Sequence, residues 1–274
     1  MQTAETVARA RALLSSLPRP LGFVPTMGAL HDGHLELVRR ARAQCRSVAA
    51  SVFVNPLQFE AGEDLSKYPR DLDGDLRKLR AAGVDVLFAP DEAAMYPPGF
   101  STWVDVGALG ERYEGAVRPH HFRGVTTVMT KLLSIVPADV LYLGQKDAQQ
   151  TAVLSRMVQD LDLPVSIVVV GTVREGDGLA LSSRNVYLND GLRAAAPTLY
   201  RALNVLREAM EAGSLKAEAI ALARSSLSRL AIPDYFDVVD ARTFEPIEQL
   251  TTPAFIIGAA RFDSTRLIDN LYLP

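Results

Sequence analysis

The sequence predicts an α/β protein: a doubly wound parallel sheet joined to a smaller C-terminal α+β domain. Three observations predict it. Between about residues 21 and 170, short apolar runs alternate with segments whose apolar residues recur at helical spacing. The runs, among them the almost purely β-branched stretch 165–170, are too uniformly apolar for a sheet with one wet face, so helices must cover both. Beyond about Thr172 the order changes to two helical patterns followed by three strand-like segments, the last two without an intervening helix.

Taken in order, residues 21–25 read as a strand, 33–44 as an amphipathic helix, 47–54 as a strand, 71–82 as a helix and 84–89 as a strand, a βαβαβ opening. The stretch 90–115, rich in Pro and Gly, reads as irregular. Then come a helix over 124–136, a buried strand over 140–143, a helix over 147–161 and the strand 165–170. The second domain reads as helices near 192–212 and 216–230, then strands over 235–240, 254–260 and 265–271. The expected boundary lies between residues 172 and 173. No internal repeat or low-complexity tract is present.

Composition excludes several classes of function. The chain has 274 residues, 48% hydrophobic and 22% charged, which is ordinary for a folded globular protein. A formal net charge of −3 gives no broad attraction to nucleic acid. Cys45 is the only cysteine, so no intrachain disulfide or multi-cysteine metal site can form; the expectation is a small packed hydrophobe in a reducing compartment. The N-terminus lacks a secretory pattern, and no stretch approaches the ~20 apolar residues that span a bilayer. These readings predict a cytoplasmic protein without membrane or nucleic-acid partners.

In an open parallel sheet the ligand crevice lies beyond the carboxyl ends of the strands, so the strand-to-helix junctions are where chemistry is expected. Four carry unusual polar residues. The first, Pro25-Thr26-Met27-Gly28-Ala29-Leu30-His31-Asp32-Gly33-His34, places two of the chain's four histidines three apart at a helix start. That spacing stacks both imidazoles on one face beside backbone N–H groups without intrahelical partners, an arrangement suited to nucleotide phosphates. The second, Asn55-Pro56-Leu57-Gln58-Phe59, sets two amides at a strand end. The third, Gly144-Gln145-Lys146-Asp147-Ala148-Gln149-Gln150, clusters a glycine, a cation, a carboxylate and amides. The fourth runs from Val173 to Asn185 and contains Ser182-Ser183-Arg184, two hydroxyls before an arginine that could clamp a polyphosphate. Taken singly, each could be an ordinary turn or helix cap. Their shared position at one end of the predicted sheet favours a site. His120 and His121 are adjacent, so their side chains diverge, and without a third ligand at matching spacing no zinc site is expected.

The string from Pro25 to His34 resembles the His-x-Gly-His signature of the nucleotidylyltransferase superfamily. Five further strings narrow the resemblance to the pantothenate synthetase family: Val52-Phe53-Val54-Asn55-Pro56-Leu57-Gln58-Phe59; Tyr68-Pro69-Arg70; His121-Phe122-Arg123-Gly124-Val125; Gly144 to Gln150; and Asp177 to Asn185. The similarity spans almost the whole chain. It implies a Rossmann-like domain over 1–172 that binds ATP and pantoate, and an α+β lid over 173–274. It also implies a two-step ligase reaction: pantoate attacks the α-phosphorus of ATP, releasing pyrophosphate, and β-alanine attacks the enzyme-bound pantoyl adenylate, releasing AMP and pantothenate.

Carried over residue by residue, the resemblance assigns ATP to Met27, Gly28, Ala29, Leu30, His31, Asp32, Gly33 and His34, to Gly144, Gln145, Lys146 and Asp147, to Val173 at the adenine, and to Leu181, Ser182, Ser183 and Arg184. His34, His31, Lys146 and Arg184 are the expected catalytic residues, with His34 the proton donor. Gln58 would contact both pantoate and β-alanine, and Gln150 pantoate. Mg²⁺ is expected on the phosphates, bound mainly through ligand oxygens and water, with its protein ligands undefined. The family further implies a homodimer. The chemistry agrees: a carboxylate attacking a phosphate meets like-charge repulsion, which His31, His34, Lys146, Ser182, Ser183 and Arg184 can offset, while neutral amides bind the acid without quenching it as a nucleophile.

Gln145, Leu181, Gly171 and His120 depart from the residues usual in such relatives, namely glutamate, methionine, proline and glycine. None of the four changes removes a cation or hydroxyl assigned to phosphate. Another transferase of the superfamily, acting on a phosphate-bearing precursor, would share the first junction but would have no reason to keep Gln58 and Gln150. A nucleotide-binding protein with lost catalysis would show eroded phosphate-facing cations, and those are intact.

Overall fold

The computed structural model describes residues 1–59 and 64–274. Its elements are β1 (Gln2–Ala4), α1 (Val7–Leu14), β2 (Leu21–Thr26), α2 (Asp32–Gln44), β3 (Ser47–Val52), α3 (Leu72–Ala81), β4 (Val86–Phe88), α4 (Glu92–Met95), α5 (Glu114–Val117), α6 (His121–Ile135), β5 (Val140–Gly144), α7 (Ala148–Asp160) and β6 (Ser166–Val170), followed by α8 (Asp190–Ala195), α9 (Thr198–Glu211), α10 (Lys216–Ser226), β7 (Ala231–Asp240), β8 (Ala254–Phe262) and β9 (Thr265–Leu273).

The contacts group these elements into two units, one of 1–144 with 153–170, the other of 145–152 with 171–274. The first is built on a six-stranded sheet in the order β1-β4-β3-β2-β5-β6 with every pairing parallel. Side chains alternate across the pleat. Leu21 and Phe23 of β2 and Leu141 and Leu143 of β5 therefore pack with α1 and α6, whereas Val24 and Tyr142 face α2 and α3. Covering both faces explains why the strands read as continuous apolar runs. Strand order reverses between β2 and β5, so their carboxyl ends flank the crevice where such sheets take ligands.

The second unit holds an antiparallel sheet, β7-β8-β9, covered by α8, α9 and α10. The expected helix over 192–212 is two helices, because Pro197 lacks an N–H and its ring obstructs the preceding turn. Pro233 lies in β7, an edge strand, beside a register shift, the setting in which a sheet tolerates proline. Two further differences concern short elements. β1 and α1 lie outside the expected elements, since a three-residue edge strand has no periodicity to read, and the irregular stretch 90–115 contains one-turn α4 and the start of α5.

Among the described residues, no helix is long and apolar enough to cross a membrane. Cys45 is buried with its Sγ 3.4 Å from the Tyr142 hydroxyl.

Candidate active site

In the first unit, the β2–α2 loop is held in shape from below. Gly28 takes φ +84° and the next residue, Ala29, takes φ +51°, a conformation that costs an L residue energy and persists only when its surroundings hold it. Thr26 Oγ1 accepts from Gly28 N at 3.2 Å, and the two carboxylate oxygens of Asp75 accept from Ala29 N and Leu30 N, each at 2.8 Å. Lys78 Nζ donates to Leu30 O at 2.5 Å. A Cβ on Gly28 would stand 2.9 Å from Asp75 Oδ2, so glycine is needed here for space as well as for conformation.

His31 is the N-cap of α2 and His34 stands in its first turn. Gly33 N donates to His31 Nδ1 at 3.2 Å, and His31 N donates to His34 Nδ1 at 3.3 Å, a reciprocal cap made of two imidazoles. Their ring centroids lie 4.1 Å apart. Acceptance at both Nδ1 atoms assigns the proton of each neutral ring to Nε2, making Nε2–H the donor edge. This corrects one expectation. The amides of Gly28, Ala29, Leu30, Gly33 and His34 are all engaged within the protein, so these N–H groups are not left bare as the helix start alone would suggest. Asp32 is exposed as the first residue of α2.

The turn after β3 is locked to the same loop. Asn55, 1% exposed, uses all of its amide: Oδ1 accepts from Leu57 N and from the Tyr96 hydroxyl at 2.7 Å, and Nδ2 donates to Gln58 Oε1 and Gly124 O, each at 3.1 Å. Burial pushes the Tyr96 hydroxyl well above its ordinary range, which keeps it protonated as the donor. Gln58 Nε2 lies 3.1 Å from Met27 Sδ, so two predicted site residues from separate junctions meet. The Gln58 carbonyl accepts from Arg118 at 3.0 Å and from His121 Nδ1 at 2.8 Å. Gly124 lets α6 approach the turn, for a Cβ there would fall 2.2 Å from Leu57 O.

Sequence reasoning assigned no role to Asp75, Lys78, Tyr96, Arg118 or His121. The His121-to-Val125 string carried a signal for part of this, but Asp75 sits among ordinary helix residues and only its burial at 1% marks it. Asp75→Asn should destabilise the protein by about 1–3 kcal/mol, because an amide N–H would then face a backbone N–H. Chemical denaturation checks this, and unchanged stability would disprove the anchoring role.

In the second unit, Gln145, Lys146 and Asp147 form a 3₁₀ turn ahead of α7, and Gln150 follows half-buried in that helix. Gly144 closes β5 of the first unit. Lys146 Nζ lies 3.8 Å from Asp147 Oδ1. Val173 and Leu181 pair across a hairpin, Leu181 N donating to Val173 O at 3.0 Å. Arg193 ties the hairpin to α8 through Glu175 and Asp177, both at 2.6 Å, and its guanidinium holds the Asp177 carboxyl below the usual range. Ser182 caps the following 3₁₀ turn, its Oγ accepting from Arg184 N at 3.2 Å, and Ser183 and Arg184 are the first residues of that turn. Lys146, Ser182, Tyr200 and Asp269 line one small cavity. The hairpin is pinned over residues 174–180 by the Arg193 contacts and by the Arg174–Ala180 bridge. Among the described residues, no group of three or more His, Cys, Asp or Glu side chains is placed to hold a metal ion.

With this geometry in hand, the family model of pantoate–beta-alanine ligase matches residues 2–272. The chain belongs to the pantoate–beta-alanine ligase family. It is 53% identical over 277 residues to a pantothenate synthetase of Chloroflexus aurantiacus, covering 100% of this chain and 98% of the relative. The crystal structure of pantothenate synthetase from Thermus thermophilus superposes with a TM-score of 0.94 at 52% identity, over 99% of both chains. A pantoate–beta-alanine ligase from Francisella tularensis, complexed with beta-gamma ATP and beta-alanine, gives a TM-score of 0.83 at 34% identity, covering 99% of this chain and 97% of that one. The parallel sheet and the small antiparallel domain are thus the architecture of pantoate–beta-alanine ligases.

Proposed function

We propose that this chain condenses pantoate with β-alanine at the expense of ATP, giving pantothenate, AMP and pyrophosphate through an enzyme-bound pantoyl adenylate. The observation that carries the reading is the paired-imidazole cap at the start of α2, in a loop whose Met27 meets Gln58, in a chain of this family. In the first step a pantoate carboxylate oxygen bonds to the α-phosphorus while the bond from that phosphorus to the pyrophosphate oxygen breaks. In the second, the β-alanine amine bonds to the acyl carbon, the carbon–oxygen bond to AMP breaks, and the amine gives up its proton.

His34 and His31 donate from Nε2 to phosphate oxygens, where charge builds as pyrophosphate departs. Lys146 and Arg184 supply positive charge to the same group, and Ser182 and Ser183 supply hydroxyl donors. Met27, Gly28, Ala29, Leu30, Asp32 and Gly33 shape the loop at the nucleotide, with Gly144, Gln145, Asp147, Val173 and Leu181 as its further contacts. Gln58 and Gln150 bind the acids as neutral donors, which leaves the pantoate carboxylate reactive. Magnesium, where bound, would be held by phosphate oxygens and water rather than by a cage of side chains, and would supply neutralisation of phosphate charge beside the donors of His31, His34, Lys146 and Arg184. The proposal includes a homodimer in the cytoplasm.

Incubation with ATP, pantoate and β-alanine tests the reaction. AMP should accumulate only when both acids are present, and pantothenate in equal amount; AMP release that ignores pantoate would reject the reading. Gln58→Ala should raise KM for both acids by about tenfold, the worth of one hydrogen bond of roughly 1–1.5 kcal/mol. Unchanged KM for both would remove Gln58 from the acid pocket.

A further inference from the structure

Strand β9 carries two polar residues where apolar ones would be expected to pack. Asp269 and Asn270 are 5% and 2% exposed. Burying such groups is unfavourable unless each finds partners, and these do so on the two loops assigned to phosphate. Asn270 Nδ2 donates to the carbonyls of Gln145 and Lys146, both at 2.9 Å, and its Oδ1 accepts from Gln145 Nε2 at 3.2 Å. Asp269 receives the fork of Arg174 at 2.6 and 2.9 Å. Arg174 also donates to Asn270 O and Gly178 O, and lies 3.8 Å from the centroid of the Tyr200 ring. One pair of neighbouring residues therefore fixes the backbone of Lys146 and the base of the hairpin that leads into Ser182 and Arg184.

We propose that Asn270, with the Arg174–Asp269 pair, positions Lys146 and the Ser182–Arg184 turn for adenylate formation. The inference rests on the proposed function. Asn270 acts through Lys146: its amide holds the lysine's carbonyl, and the lysine's ammonium meets the phosphates. Release of that carbonyl lets the ammonium drift, and a displacement of about 1 Å is enough to cost on the order of a hundredfold in rate. β-Alanine attack on a finished adenylate expels AMP rather than pyrophosphate and depends less on this placement.

The test separates the two half-reactions in the full-length protein. Asn270→Ala should lower pantoate-dependent ATP–pyrophosphate exchange by about tenfold to a hundredfold, while conversion of added pantoyl adenylate and β-alanine to pantothenate keeps its rate. Asn270→Ser, which retains one donor, should fall between Asn270→Ala and the parent, and it carries the test if the alanine variant does not fold. Equal losses in both half-reactions would mark a general packing role and overturn the proposal, as would unaltered exchange. Absence of pantoate-dependent exchange in the parent protein would instead sink the proposed function.

Discussion

Alanine at position 34 is expected to lower pyrophosphate release by about a hundredfold or more, the loss usual when a donor aimed at developing charge is removed. The geometry also warns of a second effect. His34 Nδ1 accepts from His31 N, so the same change uncaps α2, a loss of about 0.5–2 kcal/mol. His34→Gln separates the two, because a glutamine carbonyl at this helix position can restore the cap. Both variants should be slow in single-turnover adenylate formation, and only alanine should lower the melting temperature. A folded alanine variant with nearly full activity would show that the imidazole is not the donor.

Lys146→Met is expected to reduce adenylate formation by a similar factor, about a hundredfold, for a different reason. It removes a full positive charge from the departing pyrophosphate while keeping the apolar stem. Asn270 grips the carbonyl of residue 146 and not its side chain, so the turn should survive the substitution. Thermal stability should stay near that of the parent. Rapid-quench measurement of pantoyl adenylate checks the rate, and a rate within a few fold of the parent would take the ammonium out of the phosphate site.

Much of the architecture was legible because it is written in local periodicity. The strands 21–25 and 140–143 and the helix 33–44 lie within a few residues of β2, β5 and α2. The candidate junctions were legible too, since glycines, paired histidines and Ser-Ser-Arg stand out against their flanks. Hidden were the groups that hold those junctions in place. Asp75 reaches Ala29 across 46 positions, His121 reaches Gln58 across 63, and Asn270 reaches Lys146 across 124. No window of sequence encodes such pairings, and an aspartate in a charged helix looks solvated until the fold buries it. The reciprocal imidazole cap was hidden for a related reason. Spacing places two rings on one face, but it does not say that each ring will accept from the other's neighbourhood.

Residues 145–152 group with the later part of the chain although they fall between two strands of the earlier sheet, and α7 begins in one grouping and ends in the other. Severing the polypeptide near position 170 would therefore not yield two self-sufficient halves. A fragment starting at Gly171 would lack the acceptors for the Asn270 amide and leave a buried donor stranded, at about 1–3 kcal/mol. Complementation between separately expressed pieces should fail at that cut unless the octapeptide travels with the C-terminal piece.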